Sequence, residues 1–344
     1  MKRWIVLMLA ALMLCGCTAP QATTSSTTPQ TAGTTQTTAP QGYQAQFHLS
    51  NPNATENTQR LYDYLCSLSG INTLSGQMES TWMGSPDYEL NYIYEHTGKY
   101  PAIRGLDYMH DDFKGVNQRA IEWWNKGGIV TIMWHTGCDF YGEWADAMDD
   151  KIEDWDAVLT EGTAEHEAFV AGMDKAAKAL LELQEAGVPV IWRPFHEFDG
   201  RWFWWGKGHR EDFIALWKLM YDRYTNHWGL NNLIWVLPYS GNGYAYPNWY
   251  PGDEYCDILG ADSYAGGVQN GLYQKLTMVS QNKPYCFHEC GTNPTAEELQ
   301  TTPWIWFMTW HTSYVTDGNT PEALNALYNS EYVLTLDELP SLTG

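Results

Sequence analysis

The sequence predicts an α/β fold of the (β/α)8 type, the TIM barrel. Three observations predict it: a globular portion of about 300 residues, eight short apolar runs within it, and helix-like segments between most of the runs. Continuous apolar runs are typical of strands buried on both faces, and eight such strands alternating with helices fit one barrel. A doubly wound sheet is the competing fold, but no GxGxxG turn follows the first run, so we favour the barrel.

The predicted strands are the eight apolar runs, each of which ends in polar or aromatic residues. In chain order they are 72–77, 102–108, 128–135, 188–197, 232–240, 257–264, 283–289 and 304–311. In this fold the side chains at the carboxyl ends of the strands converge on one mouth, where catalysis takes place. The polar and aromatic residues expected there are Asp107, His135, His196, Glu197, Tyr239, Tyr264, His288, Glu289, Trp310 and His311.

The predicted helices lie between these runs. In 165–187, apolar residues recur at spacings of three and four, and Gly187 provides a C-terminal stop. The segments 117–128, 210–224 and 321–329 predict further helices, and 270–281 predicts one after the sixth strand. The acidic segment 136–163 is an insertion that either shapes the outer part of the mouth or forms a solvated loop.

The N-terminal region predicts export and a lipid anchor. Lys2 and Arg3 precede an apolar run that is too short to span a bilayer comfortably, and "LCGC" ends at Cys17. A plain signal peptide is the alternative, but this motif resembles a bacterial lipobox. We therefore expect a signal peptide at 1–16, lipidated Cys17 with a Ser/Thr/Gln-rich disordered linker at 17–45, and the barrel at 46–344. This predicts a membrane-anchored lipoprotein at the bacterial cell surface or in the periplasm.

The charge of the chain excludes one class of partner. Without Lys2 and Arg3 the formal charge is 17 − 41 = −24. A phosphate backbone requires a basic surface, so nucleic acid is not an expected ligand. We expect a monomer that contacts the membrane only through its lipid anchor.

Five cysteines remain after the signal peptide and Cys17: Cys66, Cys138, Cys256, Cys286 and Cys290. They allow at most two disulfides, and the sequence does not pair them. On a regular strand Cys286 and Cys290 lie roughly 13 Å apart, too far for a bridge. No CxxC, HExxH or Asp-rich calcium loop occurs, so we expect neither a metal nor a cofactor.

Two glutamates carry the functional prediction. Glu197 ends the fourth predicted strand and Glu289 the seventh, and each follows a histidine. A lone glutamate at a strand end is more often a structural ion-pair partner. Two of them facing each other across a barrel mouth are what glycoside hydrolysis requires. The 18 Trp and 22 Tyr favour a sugar ligand, since sugar rings dock on aromatic faces.

Three motifs extend this prediction: "WRPFHEFDGRWFWWG" from Trp192, "GADSYAG" from Gly260 and "KPYCFHECG" from Lys283. Together they resemble glycoside hydrolase family 26, whose best-known members are endo-β-1,4-mannanases, over roughly residues 50–340. The resemblance implies a (β/α)8 barrel that acts with retention. It also implies that Glu197 is the acid/base and Glu289 the nucleophile.

The same resemblance implies a set of sugar-binding residues. His196 is expected to orient the nucleophile, Trp202 to contact the sugar at the cleavage site, and Tyr264 to hydrogen-bond the nucleophile. His135 and Trp310 match further sugar-contacting positions, the latter as the floor of the central subsite.

The substrate class remains open at this stage. β-Mannan, as mannan, glucomannan or galactomannan, is the first expectation. Similar family members cleave mixed-linkage β-1,3-1,4-glucan or β-1,3-xylan, and the loops around the subsites decide between them. A non-catalytic glycan-binding lipoprotein is the alternative from another class.

Overall fold

The protein is a closed barrel of parallel strands with helices packed around it. The computed structural model describes residues 47–241 and 248–343. The predicted signal peptide at 1–16 and the whole of the predicted linker at 17–45, including Cys17, therefore lie outside the described residues.

Eight strands form the barrel wall: β1 Thr73–Met78, β2 Ile103–Asp107, β3 Ile129–Met133, β4 Val190–Arg193, β5 Leu233–Ser240, β6 Ile258–Ser263, β7 Tyr285–Cys290 and β8 Trp306–Thr309. Each strand pairs in parallel with the next, and β1 pairs with both β2 and β8, which closes the barrel. A two-residue strand, β9 Val333–Leu334, pairs with the beginning of β1. The predicted TIM barrel is confirmed, and each predicted apolar run contains one strand.

The α-helices of the described residues are α1 Glu56–Ser67, α2 Tyr88–Thr97, α3 Phe113–Asn125, α4 Trp144–Asp149, α5 Trp155–Leu159, α6 Ala164–Glu185, α7 Arg210–Asp222, α8 Asn270–Val279, α9 Ala296–Thr301, α10 Ser313–Thr316 and α11 Pro321–Tyr328. The five predicted helices correspond to α3, α6, α7, α8 and α11. For α6, the Thr163 side chain accepts a hydrogen bond from the His166 amide at the start, and Gly187 takes φ +74° after the end. The insertion 136–163 is not a loop without secondary structure, because it contains α4 and α5.

The core lies on both sides of the barrel wall, as the unbroken apolar runs predicted. Every residue of β3, β4 and β5 is buried. Between the wall and the helices, the Trp235 ring packs against those of Trp217 and Tyr221 at centroid distances of 5.8 and 5.1 Å. This layer holds the strand ends in fixed positions around the mouth.

The fourth strand ends earlier than predicted, which corrects the expectation that Glu197 ends it. β4 stops at Arg193 because Pro194 has no N–H to donate to the sheet. Phe195 and Glu197 then take φ values of 51° and 53°, in the left-handed region that non-glycine residues rarely adopt. Glu197 is held in place by its backbone N–H, which donates to the Pro238 carbonyl on β5 at 2.8 Å.

The seventh strand contains a bulge next to Glu289. Ala261 on β6 pairs with Phe287, but the next residue, Asp262, pairs with Glu289, so His288 is an extra residue on β7. A regular strand would direct His288 and Glu289 to opposite faces. Here the side chains of both reach strands across the barrel, His288 towards Thr131 on β3 at 3.4 Å and Glu289 towards β4.

Two further expectations can be compared with the fold. The cysteines of the described residues, Cys66, Cys138, Cys256, Cys286 and Cys290, are all unpaired. Over residues 47–241 and 248–343, none of the helices has both the length and the apolar character needed to cross a bilayer.

Candidate active site

A cavity of about 740 Å³ opens at the carboxyl ends of the strands. The structure brings all seven residues predicted to catalyse or to bind sugar to its wall: His135, His196, Glu197, Trp202, Tyr264, Glu289 and Trp310. Two residues of the expected mouth lie elsewhere. Tyr239 is fully buried against the Phe198 ring, and His288 lies in the barrel interior with its edge towards the Trp306 ring.

Arg193 connects the acidic groups at the base of the cavity. Its side chain is fully buried at the end of β4. One guanidinium nitrogen donates to Glu289 Oε1 at 2.7 Å, and the other terminal nitrogen donates to Asp262 Oδ2. A buried guanidinium is costly unless it is paired, and these two carboxylates pair it.

Glu289 receives a second hydrogen bond on its other oxygen. The Tyr264 hydroxyl donates to Oε2 at 2.8 Å. Burial and the neighbouring Glu289 charge raise the pKa of Tyr264 far above its ordinary value, so this phenol remains a donor. Both oxygens of Glu289 therefore accept hydrogen bonds, which fixes the direction of the carboxyl group.

Glu197 lies in a different environment. It is partly buried in the cavity wall and accepts a hydrogen bond from Trp202 Nε1 at 3.0 Å. Burial first, and the nearby Glu289 charge second, raise the pKa of Glu197 from its ordinary value of 4.5 to about 8, although Arg193 and the Trp202 hydrogen bond oppose the shift. At neutral pH Glu197 is therefore mainly a carboxylic acid.

The carboxyl groups of Glu197, Asp262 and Glu289 are clustered, with one oxygen of each lying within 4.8 Å of the others. Burial raises the pKa of Asp262 as well, against the attraction of Arg193. A single guanidinium cannot balance three ionised carboxylates at this spacing. We place the proton on Glu197 because, among the described contacts, it is the carboxyl group that Arg193 does not hydrogen-bond.

His135 is oriented by an acid. Asp107 Oδ2 lies 2.5 Å from His135 Nδ1, and Asp107 Oδ1 accepts the His135 and Met109 backbone N–H groups. A carboxylate at Nδ1 fixes the tautomer in which Nδ1 carries the proton and Nε2 has the lone pair. His135 can therefore accept a hydrogen bond from a sugar hydroxyl at Nε2.

His196 lies beside His135, with ring centroids 4.5 Å apart. Burial, followed by the positive charge of neighbouring groups, lowers its pKa well below the ordinary value, so the ring is neutral. Its Nδ1 has no hydrogen-bond partner among the described residues. The His196 ring itself lines the cavity.

Aromatic and thioether side chains form the outer walls. Trp82 in the connection after β1 and Trp144 on α4 are each 53% exposed, although both are large apolar rings. Trp310 packs beside His311, with ring centroids 4.7 Å apart, and the pKa of His311 is lowered to about 4, chiefly by burial. Exposed rings around a polar base are suited to a flat ligand with many hydroxyl groups.

The sequence reasoning missed several members of the site. Arg193 and Asp262 were not singled out, although a charged residue inside a buried apolar run was the available signal. Glu79, one residue beyond β1, also lines the cavity, where Arg104 and Arg119 balance its charge. Other wall residues, including Met78, Met109, Met148, Phe203 and Tyr314, carried no local signal.

Comparisons with known proteins agree with this geometry. The family model described as glycosyl hydrolase family 26 matches residues 50–338. A mannan endo-1,4-beta-mannosidase from Thermothelomyces thermophilus is 35% identical in an alignment 323 residues long that covers 86% of this chain and 64% of that protein. The mannan endo-1,4-beta-mannosidase of Bacillus subtilis strain 168 is 28% identical over 84% of this chain and 88% of that protein. Endoglucanase H from Acetivibrio thermocellus is 27% identical over 59% of this chain and 21% of that protein.

Solved structures show the same relationship. GH26A from Muricauda sp. MAR_2010_75 superposes with a TM-score of 0.79 at 36% identity, covering 84% of this chain and 99% of that one. A ruminal GH26 endo-beta-1,4-mannanase gives a TM-score of 0.80 at 31% identity, covering 88% of this chain and 72% of that one. The chain spans between half and two thirds of the length of the first four curated relatives.

The raised pKa of Glu197 predicts a pH-dependent loss of stability. A carboxyl group with a pKa of 4.5 when unfolded and about 8 when folded stabilises the fold fully below pH 4.5, and this contribution is lost as the pH rises towards 8. Glu197→Gln removes that loss because the amide does not ionise. We expect the variant to gain stability relative to the wild type as the pH rises from 4.5 to 8, by up to about 1.4 kcal/mol per pH unit, measured by urea unfolding across this range.

The control for this measurement is Glu95→Gln, which changes an exposed side chain on α2. Its difference from the wild type should be nearly the same at every pH. A changed hydrogen bond at position 197 would add only a constant offset. A Glu197→Gln difference that does not vary with pH would therefore contradict the raised pKa.

Proposed function

Because the chain belongs to glycosyl hydrolase family 26, we propose that it is a retaining endo-β-1,4-mannanase that cleaves internal bonds of mannan, glucomannan or galactomannan. One observation carries the proposal. An oxygen of Glu197 and an oxygen of Glu289 lie within 4.8 Å of each other at the base of a cavity walled by aromatic rings. Retaining enzymes hold their carboxyl groups about 5–5.5 Å apart, whereas inverting enzymes leave room for a water molecule between them.

The proposed first step is nucleophilic attack by Glu289 on the anomeric carbon. Arg193 and Tyr264 support this role because they hydrogen-bond the two carboxylate oxygens and favour the ionised form. Glu197 simultaneously donates its proton to the departing glycosidic oxygen. A glycosyl ester on Glu289 and a free reducing-end fragment result.

The proposed second step uses the change in charge produced by the first. Once Glu289 is esterified its negative charge is gone, and that charge is the second cause of the raised pKa of Glu197. The pKa of Glu197 therefore falls, so the carboxylate left after the first step can act as a base. It removes a proton from the water that releases the sugar, and the anomeric configuration is retained.

The remaining predicted residues are proposed to bind the sugar at the cleavage site. His135 presents a lone pair at Nε2, and the His196 ring lines the cavity beside it, so both are placed to hydrogen-bond hydroxyl groups. Trp202 and Trp310 offer aromatic surface beside the carboxyl groups. Tyr264 serves the nucleophile and the sugar together.

Mannan is proposed as the substrate because the curated relatives at 28–35% identity over most of this chain are named mannan endo-1,4-beta-mannosidases. The alternative is a β-1,3-1,4-glucanase or a β-1,3-xylanase, and the name of the endoglucanase relative favours a glucanase among these. A non-catalytic glycan-binding lipoprotein is the weaker alternative, because both carboxyl groups and their hydrogen-bond partners are present.

The substrate proposal predicts the result of a panel of three polysaccharides. We expect reducing-sugar release to be fastest on β-1,4-mannan, with mannooligosaccharides of several lengths appearing early, as internal cleavage requires. Mixed-linkage β-glucan and β-1,3-xylan serve as the comparison substrates. A higher rate on either would overturn the substrate proposal, and no release from any of the three would leave only the binding alternative.

Alanine substitutions of Glu197 and Glu289 should affect different steps of the reaction. Glu197→Ala should lose roughly 10²–10⁴-fold activity on mannan, but keep the first step on a 2,4-dinitrophenyl glycoside, whose leaving group requires no proton. Glu289→Ala should lose turnover on both substrates, and azide should rescue it to a product of inverted configuration. If Glu197→Ala loses activity equally on both substrates, Glu197 is not the acid. If Glu289→Ala hydrolyses mannan as fast as the wild type, Glu289 is not the nucleophile.

We also propose that Cys17 is lipidated and that the following linker holds the barrel away from the membrane. The support is the charged, apolar and "LCGC" pattern before Thr18. When the full-length chain is expressed in a bacterium, the wild type should partition into the detergent phase of Triton X-114. Cys17→Ser should move to the aqueous phase, and equal partitioning of the two would contradict the anchor.

A further inference from the structure

Two loops that form one side of the cavity are joined through Lys207. The connection after β4 carries Trp202 and Phe203, whereas α4 in the insertion carries Trp144 and Met148, and all four line the cavity. The Lys207 ammonium group donates to the Met148 carbonyl and, at 2.8 Å, to the Asp150 carbonyl. A side chain from one loop therefore caps the C-terminal end of the helix in the other.

The helix has little stability of its own. α4 contains six residues, well below the length at which an isolated helix is stable in water. Asp149 and Asp150 stand at its C-terminal end, where the unpaired carbonyl groups already concentrate negative charge. The whole insertion from 136 to 163 holds nine acidic residues and one lysine, so it has too few positive charges to balance the negative charge at this helix end.

Lys207 supplies hydrogen-bond donors and a positive charge at the C-terminal end of α4. A lysine near a helix C-terminus satisfies carbonyl groups and opposes the helix dipole. Both acceptors are backbone carbonyls, so the contact depends on where the helix end lies and is not only a neutralisation of charge. The N-terminal end of α4 already has a cap within the insertion, because the Glu143 N–H donates to Asp146 Oδ2 at 2.8 Å.

A second contact joins the same two loops. Trp204 Nε1 donates to the Thr136 carbonyl at 2.8 Å, which holds the beginning of the insertion. Lys207 holds the part of the insertion that reaches the cavity. Trp144 is 53% exposed, so about half of its surface is not packed against the protein.

We propose that Lys207 is a positioning residue for substrate binding: it holds α4 so that Trp144 and Met148 remain in the cavity wall and contact the glycan chain. The inference rests on the proposed function, because the ligand of this wall is the polysaccharide. Lys207 does not contact the reacting atoms, so its loss weakens binding and leaves the chemical step unchanged.

The test separates binding from chemistry. For Lys207→Met we expect KM for the polysaccharide to rise roughly 3- to 10-fold, as for loss of one aromatic contact, and kcat to stay within about twofold. Lys207→Arg should restore most of the affinity because a guanidinium can also donate to two carbonyl groups. The control is Lys151→Met, which removes an exposed positive charge from the same insertion, where Lys151 pairs with Glu153 at 2.7 Å.

Two further measurements show whether Lys207 acts through α4. Trp144→Ala should raise KM by a similar factor, and the double variant Lys207→Met/Trp144→Ala should be no worse than Trp144→Ala alone. Hydrogen exchange should become faster in Lys207→Met for the amides of 144–150 and not for those of β4. Additive effects, an equal effect of Lys151→Met, or faster exchange without a change in KM would each overturn the proposal.

These outcomes are independent of which polysaccharide is cleaved. The variants are compared on whichever of the three polysaccharides the wild type hydrolyses fastest, so preference for β-glucan would defeat the mannanase proposal and leave the Lys207 test intact. If the wild type hydrolyses none, affinity electrophoresis in mannan gels replaces KM with a binding constant. An unchanged binding constant in Lys207→Met would then overturn the positioning role.

Discussion

The buried guanidinium of Arg193 is the constraint on which the rest of the site depends. It is fully removed from water and bonds both Asp262 and Glu289, so its position determines which carboxyl groups are stabilised as anions. Glu197 is not hydrogen-bonded by Arg193, and burial together with the nearby negative charge of Glu289 raises its pKa to about 8. The different environments of the two glutamates thus arise from one cation shared unequally among three acids, which is the pattern by which paired acids take different roles.

This charge distribution requires two departures from regular backbone. Pro194 ends β4 directly after Arg193, and left-handed φ values then turn the chain so that Glu197 faces the cavity while its N–H bonds β5. The bulge on β7 allows His288 to fill the barrel interior and Glu289 to face Arg193 one residue later. Each left-handed residue costs roughly 1–2 kcal/mol, and the closed sheet on either side offsets that cost.

The sequence predicted the parts of this structure that depend on local pattern. Each of the eight barrel strands coincides with an apolar run because barrel strands are buried on both faces. Glu197 and Glu289 were found because the carboxyl ends of the strands converge on the mouth. Of the partners of Glu289, Tyr264 was implied by the family resemblance and is found in place. Arg193 was not predicted, because it is 96 residues from Glu289 in the chain and meets it only across the closed barrel. The early end of β4 was signalled by Pro194, but its effect on Glu197 depends on the φ values that follow. The contact between Lys207 and α4 could not be predicted from the sequence, because its acceptors are backbone carbonyls, which every residue has.

The catalytic base of the cavity and the wall built by α4 are held in place by different interactions. Substitutions in the wall can therefore change substrate binding without changing the carboxyl groups. The carboxyl groups stand on or directly after buried strands, where a shift of position would leave charges unpaired at high cost. The wall built by α4 lies on a highly acidic insertion, in which Trp144 is half exposed and Lys207 caps the helix through two carbonyl groups. Changing that wall would disturb neither the barrel nor the charge balance around Arg193. The proposed contact between this wall and the glycan chain can therefore be altered without moving Glu197 or Glu289.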